Sequence, residues 1–242
     1  QQALAHRGPD GVKRHVDYGL GLVHTRLAII DLKTGDQPLF GPNGTLLIAN
    51  GEIYNYVELK RNFPLEKFAT SSDCELPLMT YAAQGPDFAK PLRGMYAIAL
   101  ADPKAGALFL SRDPFGNKPL YYAQLASGIL FASEPDAILK TGLVPRAIST
   151  KVATELLQLQ FTTGERTIFP GINRVARGET LTLRQGRITH RRRIPALPHA
   201  PALSLKEEEA LVLLESVLKD SVLVHQRSDV PYGMFLSGGI DS

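Results

Sequence analysis

Tyr-Ala-Ile-Ala-Leu-Ala-Asp at 96–102 and Ala-Leu-Phe-Leu-Ser-Arg at 107–112 are short apolar runs with the turn pair Asp102-Pro103 between them. They read as two strands of a hairpin. Two similar runs follow at 119–124 and 128–133, set off by Asp113-Pro114 and Gly116-Asn117, so antiparallel pairing fits all four. Working outward, 19–31 and 45–50 also read as strands. Segments 57–63 and 75–83 have helix-compatible spacing, with Ser72 or Asp73 as N-cap of the second. Runs of strands with segregated helices predict an α+β fold of packed layers around one core, over roughly residues 1–190, rather than a βαβ array.

The chain has 242 residues, 44% hydrophobic and 21% charged, with 21 Gly and 17 Pro. That composition excludes disordered, collagenous and coiled-coil readings. No apolar run reaches the length of a spanning helix, and Gln1-Gln2 does not open a signal peptide, so a cytoplasmic location without membrane partners is expected. A single cysteine, Cys74, makes no internal disulfide, and the six histidines lack metal-ligand spacing, so no metal ligands are assigned. The net charge is +3. The one dense basic cluster, Arg191-Arg192-Arg193, has no interleaved aromatics and reads as a solvated strand edge, not a nucleic-acid site.

Residues 194–201, with three prolines, read as an extended linker. Beyond it, Ser204-Leu205-Lys206-Glu207 reads as a capping box. Leu211, Leu214, Leu218 and Val222 then continue an apolar helical stripe to about Gln226. A short strand at 232–236 would run into Ser237-Gly238-Gly239-Ile240-Asp241-Ser242, whose paired glycines and flanking hydroxyls suit an anion-binding nest for pyrophosphate. No Lys follows, which separates it from the Gly-Lys-Ser/Thr nucleotide loop. The expected organisation is therefore 1–193, a linker at 194–203, and the start of a second domain at 204–242. The absence of an initiator Met and the stop at Ser242 lead to the expectation of a fragment.

Seven strings occur in order: Ala-His-Arg-Gly-Pro-Asp-Gly (5–11), His-Thr-Arg-Leu-Ala-Ile-Ile-Asp (24–31), Asn-Gly-Glu-Ile-Tyr-Asn-Tyr (50–56), Ser-Asp-Cys-Glu (72–75), Arg-Gly-Met-Tyr-Ala (93–97), Arg-Asp-Pro-Phe-Gly-Asn-Lys-Pro-Leu-Tyr-Tyr (112–122) and the terminal hexapeptide. Together they resemble the glutamine-hydrolysing asparagine synthetase family. The resemblance implies a class II glutamine amidotransferase domain, an αββα sandwich of the N-terminal-nucleophile type, followed by the first helix and strand of an α/β pyrophosphate-loop domain. The implied reaction is ATP-dependent amidation of aspartate through β-aspartyl-AMP, with ammonia from glutamine. Its small-molecule partners are glutamine, aspartate and ATP, with Mg2+ ligands mostly outside these residues. A homodimer stays open.

Free glutamine needs a cation for its carboxylate, an anion for its ammonium and donors for the developing oxyanion. By resemblance, Arg26 holds the carboxylate, Asp73 with Glu52 nearby the ammonium, and the Asn50 amide with the Gly51 backbone N–H forms the oxyanion hole. The backbones of Leu27, Ala28, Ile29 and Ile30 line the same pocket by analogy. Leu236, Ser237, Gly238, Gly239, Asp241 and Ser242 take the pyrophosphate. Singly, each has a bland alternative: Arg26 or Asp73 as a surface charge, Asn50-Gly51 as a hairpin turn. The family's nucleophile is an N-terminal Cys whose own α-amine serves as proton shuttle. These residues hold no such Cys, and Cys74, flanked by Asp73 and Glu75, reads as structural. The family's Tyr-Trp pair is replaced here by Arg191-Arg192-Arg193. Two other readings stay open: a relative acting on another carboxylate, such as the β-lactam-forming synthetases, and a non-catalytic glutamine-binding module.

Overall fold

The computed structural model describes residues 2–17, 19–197, 201 and 203–239. A 3-10 turn at Gln2–Arg7 precedes β1 (Gly11–Asp17) and β2 (Leu20–Arg26), and β3 (Leu39–Phe40) and β4 (Leu46–Ile53) come next. Helix α1 (Tyr56–Lys60), a 3-10 turn at Asp73–Glu75 and α2 (Leu76–Gln84) lead into β5 (Gly94–Asp102) and β6 (Ala107–Arg112). Then come β7 (Tyr121–Leu125), β8 (Gly128–Ala132), α3 (Pro135–Leu139), α4 (Thr150–Leu159), β9 (Asn173–Arg174), β10 (Glu179–Arg184) and β11 (Arg187–Arg193). The long helix α5 (Glu207–His225) comes last.

The central sheet is antiparallel in the order β11-β10-β6-β5-β4-β3. Its middle strands are apolar on both faces because both faces are covered. On one side, Ile98, Leu100 and Phe109 pack with Leu47 against Leu76, Leu78 and Phe88 around α2. On the other, Ala97, Ala99, Leu110 and Leu181 meet Tyr122 of the three-stranded sheet β8-β7-β9 and Leu120 just before its β7. The far face of that second sheet carries α3 through Ile138 and Leu139 on Ala123. The layers run helix, sheet, sheet, helix, as an αββα sandwich requires. In β5, large residues face the helices and alanines face the second sheet. The small side chains of Ala97 and Ala99 leave inter-sheet space, and both line the cavity described below.

Several expectations need correction. The strand expected over 19–31 ends at Arg26, because the turn at Pro9-Asp10 folds back onto it. Pro9 bridges Arg26, and the Asp10 N–H donates to the Arg26 carbonyl at 2.9 Å. Residues 27–31 leave the ladder as a loop that ends at Asp31 with φ of 55°. The strand expected at 45–50 runs on to Ile53, so Asn50-Gly51 lies within β4, not in a turn. Strands β1, β3, β9 and β10 and helices α3 and α4 add to the expected elements. The triple-Arg segment is the edge strand β11, as expected, though Arg191 also pairs with Glu179 at 2.7 Å and donates to the Tyr122 hydroxyl.

Beyond β11, the Ile194 N–H still donates to the Gly178 carbonyl at 2.8 Å. Pro198–Ala200 and Ala202 of the expected linker lie outside the described residues. Helix α5 starts at Glu207, with its cap two residues later than the expected Ser204, because Glu209 Oε2 accepts the Lys206 N–H at 3.0 Å and makes Lys206 the cap. Its stripe of Leu211, Leu214, Leu218 and Val222 is exposed, and Val224 is its one buried residue. The strand expected at 232–236 is irregular instead. Among the described residues no strand lies beside it, and an extended segment without a ladder leaves its backbone groups to water.

The layering makes a direct stability prediction. Phe109, 1% exposed and packed edge-on to Phe88, anchors the helix-facing core. Phe109→Ala is expected to cost about 3–5 kcal/mol in urea unfolding. A loss below about 1 kcal/mol would mean that this core is not the stabilising one.

Candidate functional site

A cavity of about 490 Å³ opens between the two sheets at the ends of β2 and β4. Its polar lining includes Arg26, Asn50, Gly51, Glu52, Asp73 and Lys118, and its apolar lining includes Leu22, Ile48, Leu120 and Phe131. The structure therefore gathers residues that are far apart in the chain. Leu27, Ile29 and Ile30 line the cavity too. Ala28 does not: its N–H donates to Asp10 Oδ2 at 2.8 Å.

Asn50 and Gly51 are adjacent in β4, opposite Ala97 and Tyr96 of β5. The Asn50 Nδ2 is buried with no hydrogen-bond partner. An amide NH2 carries two donors, and leaving such a group dry and unpaired costs about 1–3 kcal/mol. Gly51 has φ of 153°, and a Cβ there would lie 2.0 Å from the Met95 carbonyl oxygen, so only glycine fits. Bare backbone thus sits beside the unpaired amide at the cavity wall.

Asp73 is held by a turn whose cap is Ser72, with Ser72 Oγ accepting the Cys74 N–H. Its Oδ2 accepts the Ile53 N–H at 2.6 Å, which ties the turn to the end of β4. Burial pushes the Asp73 carboxyl above its ordinary value, against the pull of backbone hydrogen bonds from Ile53 and Cys74. Glu52 is raised first by burial and then by Asp73, and is opposed by Lys118 and His225. Two carboxylates that resist ionisation side by side favour a cationic ligand.

Arg26 is 8% exposed and is clamped: Nη1 donates to Asp36 Oδ1 at 2.8 Å and Nη2 to the Asp31 and Ile30 carbonyls. A guanidinium has five donors, more than these three contacts use. The cation is thus oriented in advance, with its charge partly answered by Asp36. Asp31 organises this loop. Its Oδ1 accepts the Thr34 N–H at 2.8 Å and its Oδ2 the Ser71 N–H at 2.9 Å. Burial would raise its carboxyl, but hydrogen bonds from Thr34, Ser71 and Lys33 outweigh it and hold it low.

Cys74, 5% exposed, packs in the helix-facing core. Burial, then Asp73, pushes its thiol well above the ordinary range, which suits the structural role expected. His24 also lines the cavity, with Nε2 at 3.2 Å from the Ala49 carbonyl, and burial lowers its pKa. Sequence reasoning missed Asp31, Asp36, His24 and Lys118. The Asp-x-x-Thr-Gly spacing at 31–35, an Asx-turn signature, could have marked Asp31.

Leu236, Ser237, Gly238 and Gly239 are exposed and lie outside this cavity. Gly238 has φ of 76°, and the Gly239 N–H donates to Ser237 Oγ at 3.3 Å, the start of a turned backbone open to an anion. Asp241 and Ser242 lie outside the described residues. Among the described residues, no three His, Cys, Asp or Glu side chains converge as a metal site, and no helix is long and apolar enough to cross a membrane.

The family model described as a glutamine amidotransferase domain matches residues 1–193, and that described as asparagine synthase matches residues 213–242. Asparagine synthetase (glutamine-hydrolyzing) 1 of Bacillus subtilis (strain 168) is 36% identical over 245 residues, covering 100% of this chain and 38% of that protein. Asparagine synthetase (glutamine-hydrolyzing) of Asparagus officinalis is 32% identical, covering 99% and 36%, and amidase chyE of Penicillium rubens is also 32% identical, with the same coverage. The chain thus spans 38% of the length of the first of these curated relatives. Among solved structures, glutamine phosphoribosylpyrophosphate amidotransferase from B. subtilis superposes with a TM-score of 0.51 at 23% identity, covering 72% of this chain and 34% of that one. The allosteric regulatory enzyme of purine biosynthesis does so with 0.53 at 20%, with the same coverage. At that identity the likeness speaks for the fold alone, and it supports an N-terminal-nucleophile type.

The raised carboxyls predict a pH-dependent stability. A carboxyl whose folded pKa lies above its unfolded one takes up protons on folding, so its burden grows as pH rises through that window. Asp73→Asn keeps an acceptor for the Ile53 N–H and is expected to raise the thermal midpoint at pH 7. The gain should vanish below about pH 4, where the unfolded carboxyl is protonated as well. A gain independent of pH would contradict the assignment.

Proposed function

We propose, from the premise that this chain belongs to the glutamine amidotransferase domain family, that its cavity binds free L-glutamine and releases ammonia for a glutamine-dependent asparagine synthetase. The observation that carries this reading is the buried, unpartnered Asn50 Nδ2 beside the obligatory Gly51. Two donors fixed at a cavity wall are what a tetrahedral oxyanion requires, and a ground-state amide uses them less well. Glu52 and Asp73 would answer the substrate ammonium, and Arg26, oriented by Asp36 and the 30–31 carbonyls, its carboxylate. In this reading an N-terminal cysteine thiolate adds to the glutamine Cδ, its α-amine relaying the thiol proton to the departing ammonia. Water then cleaves the γ-glutamyl thioester to glutamate. The matched charge set argues against a remnant pocket, which would have no ligand to answer buried carboxylates of raised pKa.

The division into 1–193, a linker at 194–203 and a synthetase start at 204–242 belongs to the same proposal, supported by the asparagine synthase match over 213–242. There Leu236–Ser242 would receive the ATP pyrophosphate, and aspartate would be activated as β-aspartyl-AMP before ammonia displaces AMP. The exposed backbone at Gly238, with nothing within 4 Å of an added Cβ, fits an approaching phosphate. Mg2+ would enter with the nucleotide.

The 242 residues alone are expected to bind glutamine without releasing glutamate, since oxyanion donors leave only residual catalysis without a nucleophile. Glutamate release that Cys74→Ala abolishes would overturn this. In the full-length protein, Asn50→Ala is expected to lower glutaminase kcat by about 10²–10³ while sparing synthesis from added ammonia. A parallel fall in both activities would make Asn50 structural and withdraw the oxyanion assignment.

A further inference from the structure

The loop at 27–31 that walls the cavity is clamped from outside by a segment remote in the chain. The Asp229 N–H donates to the Ile29 carbonyl at 3.0 Å, and Asp229 Oδ2 accepts the Asp31 N–H at 2.7 Å. This closes a two-point clasp on three consecutive residues, of which Ile29 and Ile30 line the cavity and Asp31 holds Arg26 through its carbonyl. Asp229 is itself positioned. Two residues earlier, Arg227 pairs in a bidentate manner with Glu58 at 2.6 and 2.8 Å and donates to the Tyr54 carbonyl. The His225 ring packs tilted against the Tyr54 ring with centroids 4.1 Å apart, and Asp220 pairs with Arg93 at 2.6 Å. The clasped loop draws on such support, because Asp31 sits at φ of 55°, a conformation that costs a non-glycine residue energy and persists where surrounding contacts offset it.

We infer that Asp229 is a positioning residue for glutamine: it holds the 29–31 backbone, and through it Arg26, in the substrate-binding arrangement. The inference rests on the amidotransferase reading of the cavity. Asp229 touches no substrate and acts only through the loop. A short stretch joins Val230 to Ser237, so movement of the anion-binding turn would reach the clasp along the backbone. Coupling of this kind is reciprocal, and glutamine in the cavity would in turn steady the 225–230 arm.

The test uses the full-length protein and three readouts: glutaminase kinetics, synthesis from added ammonia, and hydrogen exchange at the Asp31 amide. In Asp229→Ala the KM for glutamine is expected to rise about fivefold or more at unchanged kcat, with ammonia-dependent synthesis unaltered. Exchange at Asp31 should quicken in the same variant. Asp229→Asn retains an acceptor for the Asp31 N–H and should restore both. Unchanged KM, unchanged exchange, or a loss of kcat and ammonia-dependent synthesis together would overturn the inference, the last by showing a structural role. Absence of glutaminase activity in the unmodified full-length protein would instead bring down the amidotransferase reading, and this inference with it. Because Asp229 is exposed, the alanine variant is expected to fold, and the exchange measurement stands without turnover.

Discussion

Asp31 uses its backbone N–H, its carbonyl and both carboxylate oxygens, each on a different part of the molecule. The carbonyl receives Arg26, the carboxylate receives Thr34 and Ser71, and the N–H is given to Asp229. Ser71 leads directly into Ser72 and Asp73, so one residue fixes the distance between the cavity's cation and its buried carboxylate. Without that constraint Arg26 would be a long side chain with rotamer freedom to lose on every binding event. With it, that entropy is lost on folding instead of on binding, the usual route to a preorganised pocket.

Preorganisation leaves visible strain in the free protein. Asn50 Nδ2 is buried without a hydrogen-bond partner, Glu52 is raised by burial and by Asp73, and Asp73 is raised by burial. All three defects face one cavity. A ligand with an ammonium and a carbonyl oxygen turning anionic would relieve each of them, so they are better understood as unspent binding energy than as poor packing. The cores flanking the site carry the compensating stability. Tyr96, Ile98, Leu100, Leu110 and Phe109 are all essentially buried in the strands that present the site or in their neighbours.

Legibility in the sequence followed the physics of each segment. The strands at 96–102 and 107–112 were readable because burial on both faces demands unbroken apolar residues. β1 was not, since Lys13-Arg14-His15 lies in a two-stranded ribbon largely open to water and carries no apolar pattern. The residues that the ordered motifs single out in the first domain, Arg26, Asn50, Gly51, Glu52 and Asp73, line one cavity. The run at 27–31 misled, because its apolar Leu-Ala-Ile-Ile looks like a strand while its hydrogen bonds go to Asp10 and Asp229. Long-range partners of that kind leave no local periodicity.

The joint between α5 and the sandwich differs in kind from the cores. Arg93–Asp220 and Arg227–Glu58 are ion pairs with half-exposed carboxylates; an ordinary pair of that kind is worth roughly 0–1 kcal/mol in water, and the bidentate Arg227–Glu58 is the stronger of the two. The apolar stripe of α5 contributes little to this contact, since Leu211, Leu214, Leu218 and Val222 remain exposed and Val224 alone is buried. A sheet core cannot yield in small steps, because opening it exposes packed hydrocarbon all at once. A contact made of a few screened charges and the two hydrogen bonds of Asp229 can be made and broken at little cost. It therefore suits a contact whose occupancy shifts with what is bound on either side, more than one that holds the molecule together.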